Sequence, residues 1–138
     1  MPSRLSDAQA NNSLDVRFNG AASTAPATYY FALLTTAPSD NTGTGAVEAT
    51  GTGYARVGVT KNATNFPVAA TRVISNGVAI TFAQAGASWG TIVGVALYDA
   101  ATTGTFLGYA ALGTAKAVNS GDTAEIAAGA FIVTSAGS

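Results

Sequence analysis

The sequence has no cysteine and no histidine. That excludes disulfide frameworks, Cys/His zinc sites, thiol nucleophiles, imidazole bases and His-oriented triads. Charge is scarce too: six basic and seven acidic residues make up 9% of the chain, against about 25% in an ordinary soluble domain. A net charge of −1 offers no electrostatic footprint for nucleic acid or an anionic membrane surface. No apolar run approaches the ~18 residues that span a bilayer. The N-terminal residues, with Asp7, Asp15 and several Asn, lack the apolar stretch of a signal peptide, so synthesis in the cytoplasm is expected. Catalysis through Asp, Glu, Lys or Tyr stays chemically open, but no cluster of these stands ready to perturb a pKa. The expectation is a protein that is not an enzyme and carries no cofactor or metal.

What is present is apolar and small. Hydrophobic residues make up 48% of the 138 positions and the mean hydropathy is +0.30. A surface with so few charges is poorly protected against association. It is either a neutral coat or one that an assembly partly covers.

The N-terminus carries the one credible helix. Ser6-Asp7-Ala8-Gln9 fits a capping box, Ala10, Leu14 and Phe18 share a stripe at i, i+4 and i+8, and Gly20 is placed to end the helix. The stripe predicts either docking to a neighbouring subunit or packing onto the chain's own sheet. We therefore divide the chain into a helical segment, 1–20, and a single β-domain, 21–138.

From Thr28 onward the periodicity is that of strands. Tyr29 to Leu34 reads as one, and Gly53-Tyr54-Ala55-Arg56-Val57 opens another. Between them lies a long polar stretch, Thr35 to Gly53, read as a displayed loop. Arg72 to Ser75 and Val78 to Phe82 flank Asn76-Gly77, the pair suited to a type I′ turn, which predicts a tight hairpin. Thr91 to Tyr98 and Phe106 to Leu112 are apolar on both faces, as in strands covered from two sides. Asp99 to Gly104 reads as the hairpin loop between them. Asn119-Ser120-Gly121-Asp122 is a further turn, between Ala115–Val118 and Thr123–Ile126, and Phe131 to Thr134 is a last strand. Pro67 belongs at an edge or bulge. About eight strands at short spacing predict an all-β, jelly-roll-like β-sandwich with a short N-terminal helix, a barrel being the alternative. No heptad, collagen-like triplet or internal repeat is present, which argues against a fibre shaft but not against a globular tip.

Chemistry is hard to find. Asp40 and Glu48 form the only local carboxylate pair in the long loop, and their spacing matches no calcium loop. Gly43-Thr44-Gly45 and Gly51-Thr52-Gly53 lack the Lys-Ser/Thr ending and following helix of a phosphate cradle. Alternation places Val57 and Val59 inward and leaves Arg56 on the opposite face beside Tyr54. These are residue types that interfaces favour. Arg56 is then an interface residue, a solvated strand residue, or the partner of Asp99 or Asp122. Trp89 reads as a core or sheet-corner aromatic rather than a sugar platform.

Taken in order, Leu5-Ser6-Asp7-Ala8, Tyr29 to Thr36 with Ala37-Pro38, Gly53-Tyr54-Ala55-Arg56, Ser88-Trp89-Gly90-Thr91, Tyr98 to Thr102 and Val118 to Asp122 resemble a family of small tailed-bacteriophage virion proteins. Some members carry the label of tail fibre proteins, and others look like capsid decoration, or cement, proteins with a jelly-roll-like fold. The resemblance covers nearly the whole chain. Lys61 to Thr71, with Phe66-Pro67, departs from it. No catalytic residue is implied. What is implied is a homotrimer or homodimer on the virion, clamped to the major capsid protein and stabilising the shell. The expected assembly contacts are Leu14, Phe18, Asp40, Glu48, Tyr54 and Arg56. A tail or tail-tip component contributing to host attachment is the alternative, and a lectin or carbohydrate-active enzyme using Asp99, Asp122 and Trp89 is a third.

Overall fold

Strands that are apolar on both faces need cover on both sides, and two such strands form the middle of this molecule. The computed structural model describes residues 2–134. Its elements are β1 (Pro2–Leu5), α1 (Asp7–Leu14) continued by a π-helical turn (Asp15–Asn19), β2 (Thr28–Thr36), β3 (Val47–Glu48), β4 (Val57–Thr60), β5 (Val73–Ser75), β6 (Ile80–Thr81), β7 (Gly90–Tyr98), β8 (Phe106–Val118), β9 (Glu125–Ile126) and β10 (Ile132–Thr134). The class is all-β. An eight-stranded sheet runs β3-β2-β7-β8-β1-β10-β5, with β4 also paired to β2, and a two-stranded sheet pairs β6 with β9. The sandwich is thus very unequal in its layers.

Period-two alternation sorts β2 between two cores. Phe31 and Leu33 face the main core with Ile80, Phe82, Trp89, Ile92, Val95, Leu97, Ile126 and Phe131. Ala32 and Leu34 face the other side, where Ala96 joins them under Ala46, Tyr98, Phe106 and Tyr109. Phe31 and Phe131 meet edge to face at 5.0 Å, a geometry worth about 0.5–1.5 kcal/mol beyond the area it buries.

The helix start is capped by Ser6 as its sequence predicts. The capping box is only half formed, because the Ser6 N–H donates to the Leu107 carbonyl at 2.8 Å rather than to the Gln9 side chain. The Ser6 hydroxyl accepts from the Gln9 backbone N–H at 3.3 Å, and Gly20, at φ +74°, closes the π-helical turn in the left-handed region. The segment 1–20 is nevertheless not helical throughout. Its first residues form β1, which pairs antiparallel with β8 and parallel with β10, so the N-terminus is stitched into the sheet.

Four other expectations give way. Asn76-Gly77 makes no hairpin: β5 pairs with β10 and β6 with β9, in different sheets. Gly77 is small for a different reason. A Cβ there would lie 2.9 Å from the Pro67 ring and closer still to the Thr64 carbonyl oxygen, so the 61–71 segment packs directly over it. The strand expected from Gly53 begins only at Val57. Phe106 to Val118 is one long strand rather than two, its register with β7 shifting between Ile92 and Gly94. Of Thr123–Ile126, read as the segment after the Asn119–Asp122 turn, only Glu125–Ile126 is a strand, and it pairs with β6.

Candidate functional site

The stretch from Thr35 to Gly53 is not a free display loop. Its β3 hydrogen-bonds along the same edge of β2 that β4 occupies further on. Ala46 packs on the outer core. Gly43, at φ +89°, lies so close to Phe106 that a Cβ would stand 2.6 Å from its Cγ. The loop lies over the outer face of the sheet.

Three of the residues expected at an assembly contact meet at the base of this loop. Glu48 receives a forked bond from Arg56, Nη2 to Oε2 at 2.8 Å and Nε to Oε1 at 2.9 Å. Arg56 also donates through Nη1 to the carbonyls of Ala100 and Thr103, at 2.8 and 2.7 Å, and its guanidinium stacks 3.8 Å above the Tyr98 ring. The Tyr54 hydroxyl donates to Glu48 Oε1 at 2.6 Å and accepts the Leu33 N–H at 3.1 Å. Burial works against the Arg56 charge, but the hydrogen bonds and charge of Glu48 outweigh it, so the Arg56 pKa is raised. Burial first, then the bond to Glu48, holds the Tyr54 hydroxyl well above its usual range.

The Arg56 side chain is 7% exposed and Glu48 26%. The ion pair is internal, as one reading of Arg56 allowed, but its partner is Glu48 and not Asp99 or Asp122. Those two serve turns: Asp99 accepts the Thr105 N–H and Asp122 the Asn119 N–H. Trp89 is buried, donates to the Thr52 carbonyl at 3.0 Å and meets Tyr54 edge to face. As a core aromatic it is closed to a sugar.

The remaining expected contacts stand apart. Leu14 is 55% and Phe18 84% exposed, so these two do not pack onto the chain's own sheet, whereas Ala10, first in the stripe, is half-buried. Asp40 is exposed, and its Oδ1 accepts from the Thr42 hydroxyl and the Thr42 and Thr44 amides. These bonds, the Thr42 hydroxyl first, hold its pKa down to about 2.

Asp40 opens a groove of about 420 Å³ between the loop and the sheet, lined by Arg4, Asn41, Phe106 and Tyr109 among others. None of these four stood out in the sequence. They converge because β1 pairs with β8, and a four-residue strand leaves no periodic trace.

Tyr109 lies across Gly94, where a Cβ would collide with its ring and stand 2.7 Å from the Ala110 carbonyl oxygen. Gly94→Ala is expected to destabilise the fold by about 2 kcal/mol through overpacking, read as a lower urea midpoint at unchanged slope. Combining it with Tyr109→Ala should recover only part of the loss, because the backbone clash persists.

Among the described residues no group of three or more acidic, Cys or His side chains could hold a metal ion, and no helix is long and apolar enough to cross a membrane. No curated protein matches the sequence. The model of a phage virion protein family does, over residues 4–134. That span takes in β2 to β10 entire and the end of β1, and the chain belongs to the family described as podophage GP4 fiber I protein gp80.

Proposed function

We propose that this virion structural protein is a non-catalytic building block of the tail fibre, joined to its neighbours through the helix face and the weakly charged surface around it. The observation that carries this is the stripe of Leu14 and Phe18, 55% and 84% exposed, on a helix and its π-helical continuation with no buried residue in either. Burying a side chain such as Phe gains roughly 1.5–3 kcal/mol, so this stripe favours a partner surface. The partner is a second copy of the chain or an adjoining tail protein. The fibre description of the family supports a tail position. Capsid decoration, with the major capsid protein as partner, is the second reading. It is favoured by the absence of any shaft-forming repeat in the sequence and by the resemblance to cement proteins.

Cryo-EM of the virion, with copy number from quantitative mass spectrometry, separates the two. Density confined to the tail at few copies supports the fibre, whereas occupancy of repeated shell positions at high copy overturns it in favour of decoration. Phe18→Asp should leave the isolated fold intact and reduce incorporation into particles. Undiminished incorporation removes the stripe as the contact.

A further inference from the structure

The groove beside Asp40 has a composition that neither the core nor the helix stripe explains. One wall is β1, with Ser3, Arg4 and Leu5. The other is the loop of Pro38, Ser39, Asp40 and Asn41. Phe106, Tyr109 and Ala111 of β8 complete the lining. Its volume, about 420 Å³, lies in the range of small-molecule sites, roughly 300–1,000 Å³. Phe106 and Tyr109 are each half-buried, so part of each ring remains free to be covered.

The polar groups are held in place and keep capacity in reserve. Arg4 Nη1 donates to Asn41 Oδ1 at 3.2 Å, which ties the two walls together and orients the Asn41 amide. Its NH₂ group has no hydrogen-bond acceptor among the described residues. Asp40 is fixed by three bonds that all fall on Oδ1, leaving Oδ2 to accept from elsewhere. Ser3 Oγ, in the β1 wall, is buried with no hydrogen-bond partner among the described residues.

We infer that this groove binds a neutral saccharide. Vicinal hydroxyls both donate and accept, and they match planar side chains that offer fixed acceptors (Asp40) and donors (Asn41, Arg4). The C–H face of a pyranose ring is apolar and matches the rings of Phe106 and Tyr109. The cation of Arg4 and the anion of Asp40 stand in the same groove, so neither an acidic nor a basic ligand gains a net field. A peptide strand is a poorer fit, because the groove runs over the paired strands β1 and β8 and offers no free sheet edge for main-chain bonds. The site lies beyond the proposed structural role and is testable on the isolated protein, whichever part of the virion carries it.

The test is a ¹⁵N-labelled titration of the purified chain with neutral mono- and oligosaccharides (glucose, galactose, mannose, rhamnose and N-acetylglucosamine series). Saturable shifts centred on Arg4, Asn41, Phe106 and Tyr109 are expected with at least one of them. Asn41→Ala and Arg4→Ala should each weaken that binding by about tenfold or more, the loss of a hydrogen-bonding group. Asp40→Asn, which keeps an acceptor oxygen for the loop, serves as a variant with the fold least disturbed and should also weaken binding. Melting midpoints separate lost binding from lost folding. No saturable shift with any sugar overturns the inference. So do shifts centred elsewhere, binding unchanged in all three variants, or preferential binding of peptides in the same groove.

Discussion

Asn76→Ala is expected to cost about 3–4 kcal/mol of folding free energy, measured as a fall in the unfolding free energy by urea titration. Asn76 is 1% exposed. Its Nδ2 donates to the carbonyls of Val78 and Ala127, at 2.8 and 2.9 Å, and its Oδ1 accepts the Phe131 N–H at 2.9 Å. One amide thus joins the chain leaving β5, the chain leaving β9 and the entry to β10. Truncation to Ala leaves the Val78 carbonyl and the buried Phe131 N–H without partners, while the Ala127 carbonyl keeps only the Ala130 N–H. Each orphaned group costs about 1–3 kcal/mol, less than additively. Domains of this size hold about 5–15 kcal/mol in total, so the variant should be visibly marginal.

Asn76→Asp distinguishes lost hydrogen bonds from lost packing, because the shape is kept. Its carboxylate can still accept from Phe131 N–H, but it sets a negative oxygen against two carbonyls. The buried acid should therefore titrate above its unfolded pKa of about 3.9. A raised folded pKa means that the protein binds the proton more tightly when folded. Its stabilising contribution is complete below the unfolded pKa and is lost as pH rises through the folded one. Relative to the parent chain, Asn76→Asp should be less destabilised at pH 4 than at pH 7. An equal penalty at both values would show that the amide's bonds are not the source.

Asn76 also shows where the sequence misleads. Asn-Gly between two apolar runs is a strong local hairpin signal, but both flanks are taken by distant partners, β10 and β9. The same amide that suits a turn is spent inside as a three-way strut. Features set by neighbours in sequence were legible: the Ser6 cap, the Gly20 stop, the Asp99–Gly104 connection between β7 and β8, and the two-faced apolarity of β7. What depended on long-range pairing was not. Pro2–Leu5 is too short to show alternation, so its place between β8 and β10 was hidden, and with it the groove that brings Arg4 beside Asn41. The long loop had the composition of a displayed segment. Its Gly and Ala instead allow close approach, Gly43 against Phe106 and Ala46 against the core of Ala32, Leu34 and Ala96. Tyr54 and Arg56 were singled out on residue type and Glu48 separately, as the loop carboxylate paired with Asp40; the structure joins the three to one another.

That internal engagement leads to the second large effect. Arg56→Ala should destabilise the protein by about 3 kcal/mol, the lower end of the range for breaking a buried ion pair, because Glu48 keeps 26% of its side chain in solvent. The loss has several sources: the fork to Glu48, the bonds to Ala100 and Thr103 carbonyls, and the stack on Tyr98. Arg56→Lys keeps the charge and should still lose about half of this, since an ammonium can neither fork to Glu48 nor stack flat on the ring. The decisive comparison is the double variant Glu48→Met/Arg56→Met. If the cost of Arg56→Ala is mainly a stranded Glu48 carboxylate, replacing both charges with apolar chains should restore much of it. Should the double variant fall as far as the single, the fixed loops would be the larger part. The two outcomes also bear on assembly. Arg56 holds the 99–104 connection with one group and the β3 end of the long loop with the other. A chain that loses Arg56 should therefore show faster amide exchange in both segments at once while β7 and β8 stay protected. Exchange that rises uniformly across the sheet would instead mean that the pair supports the whole fold.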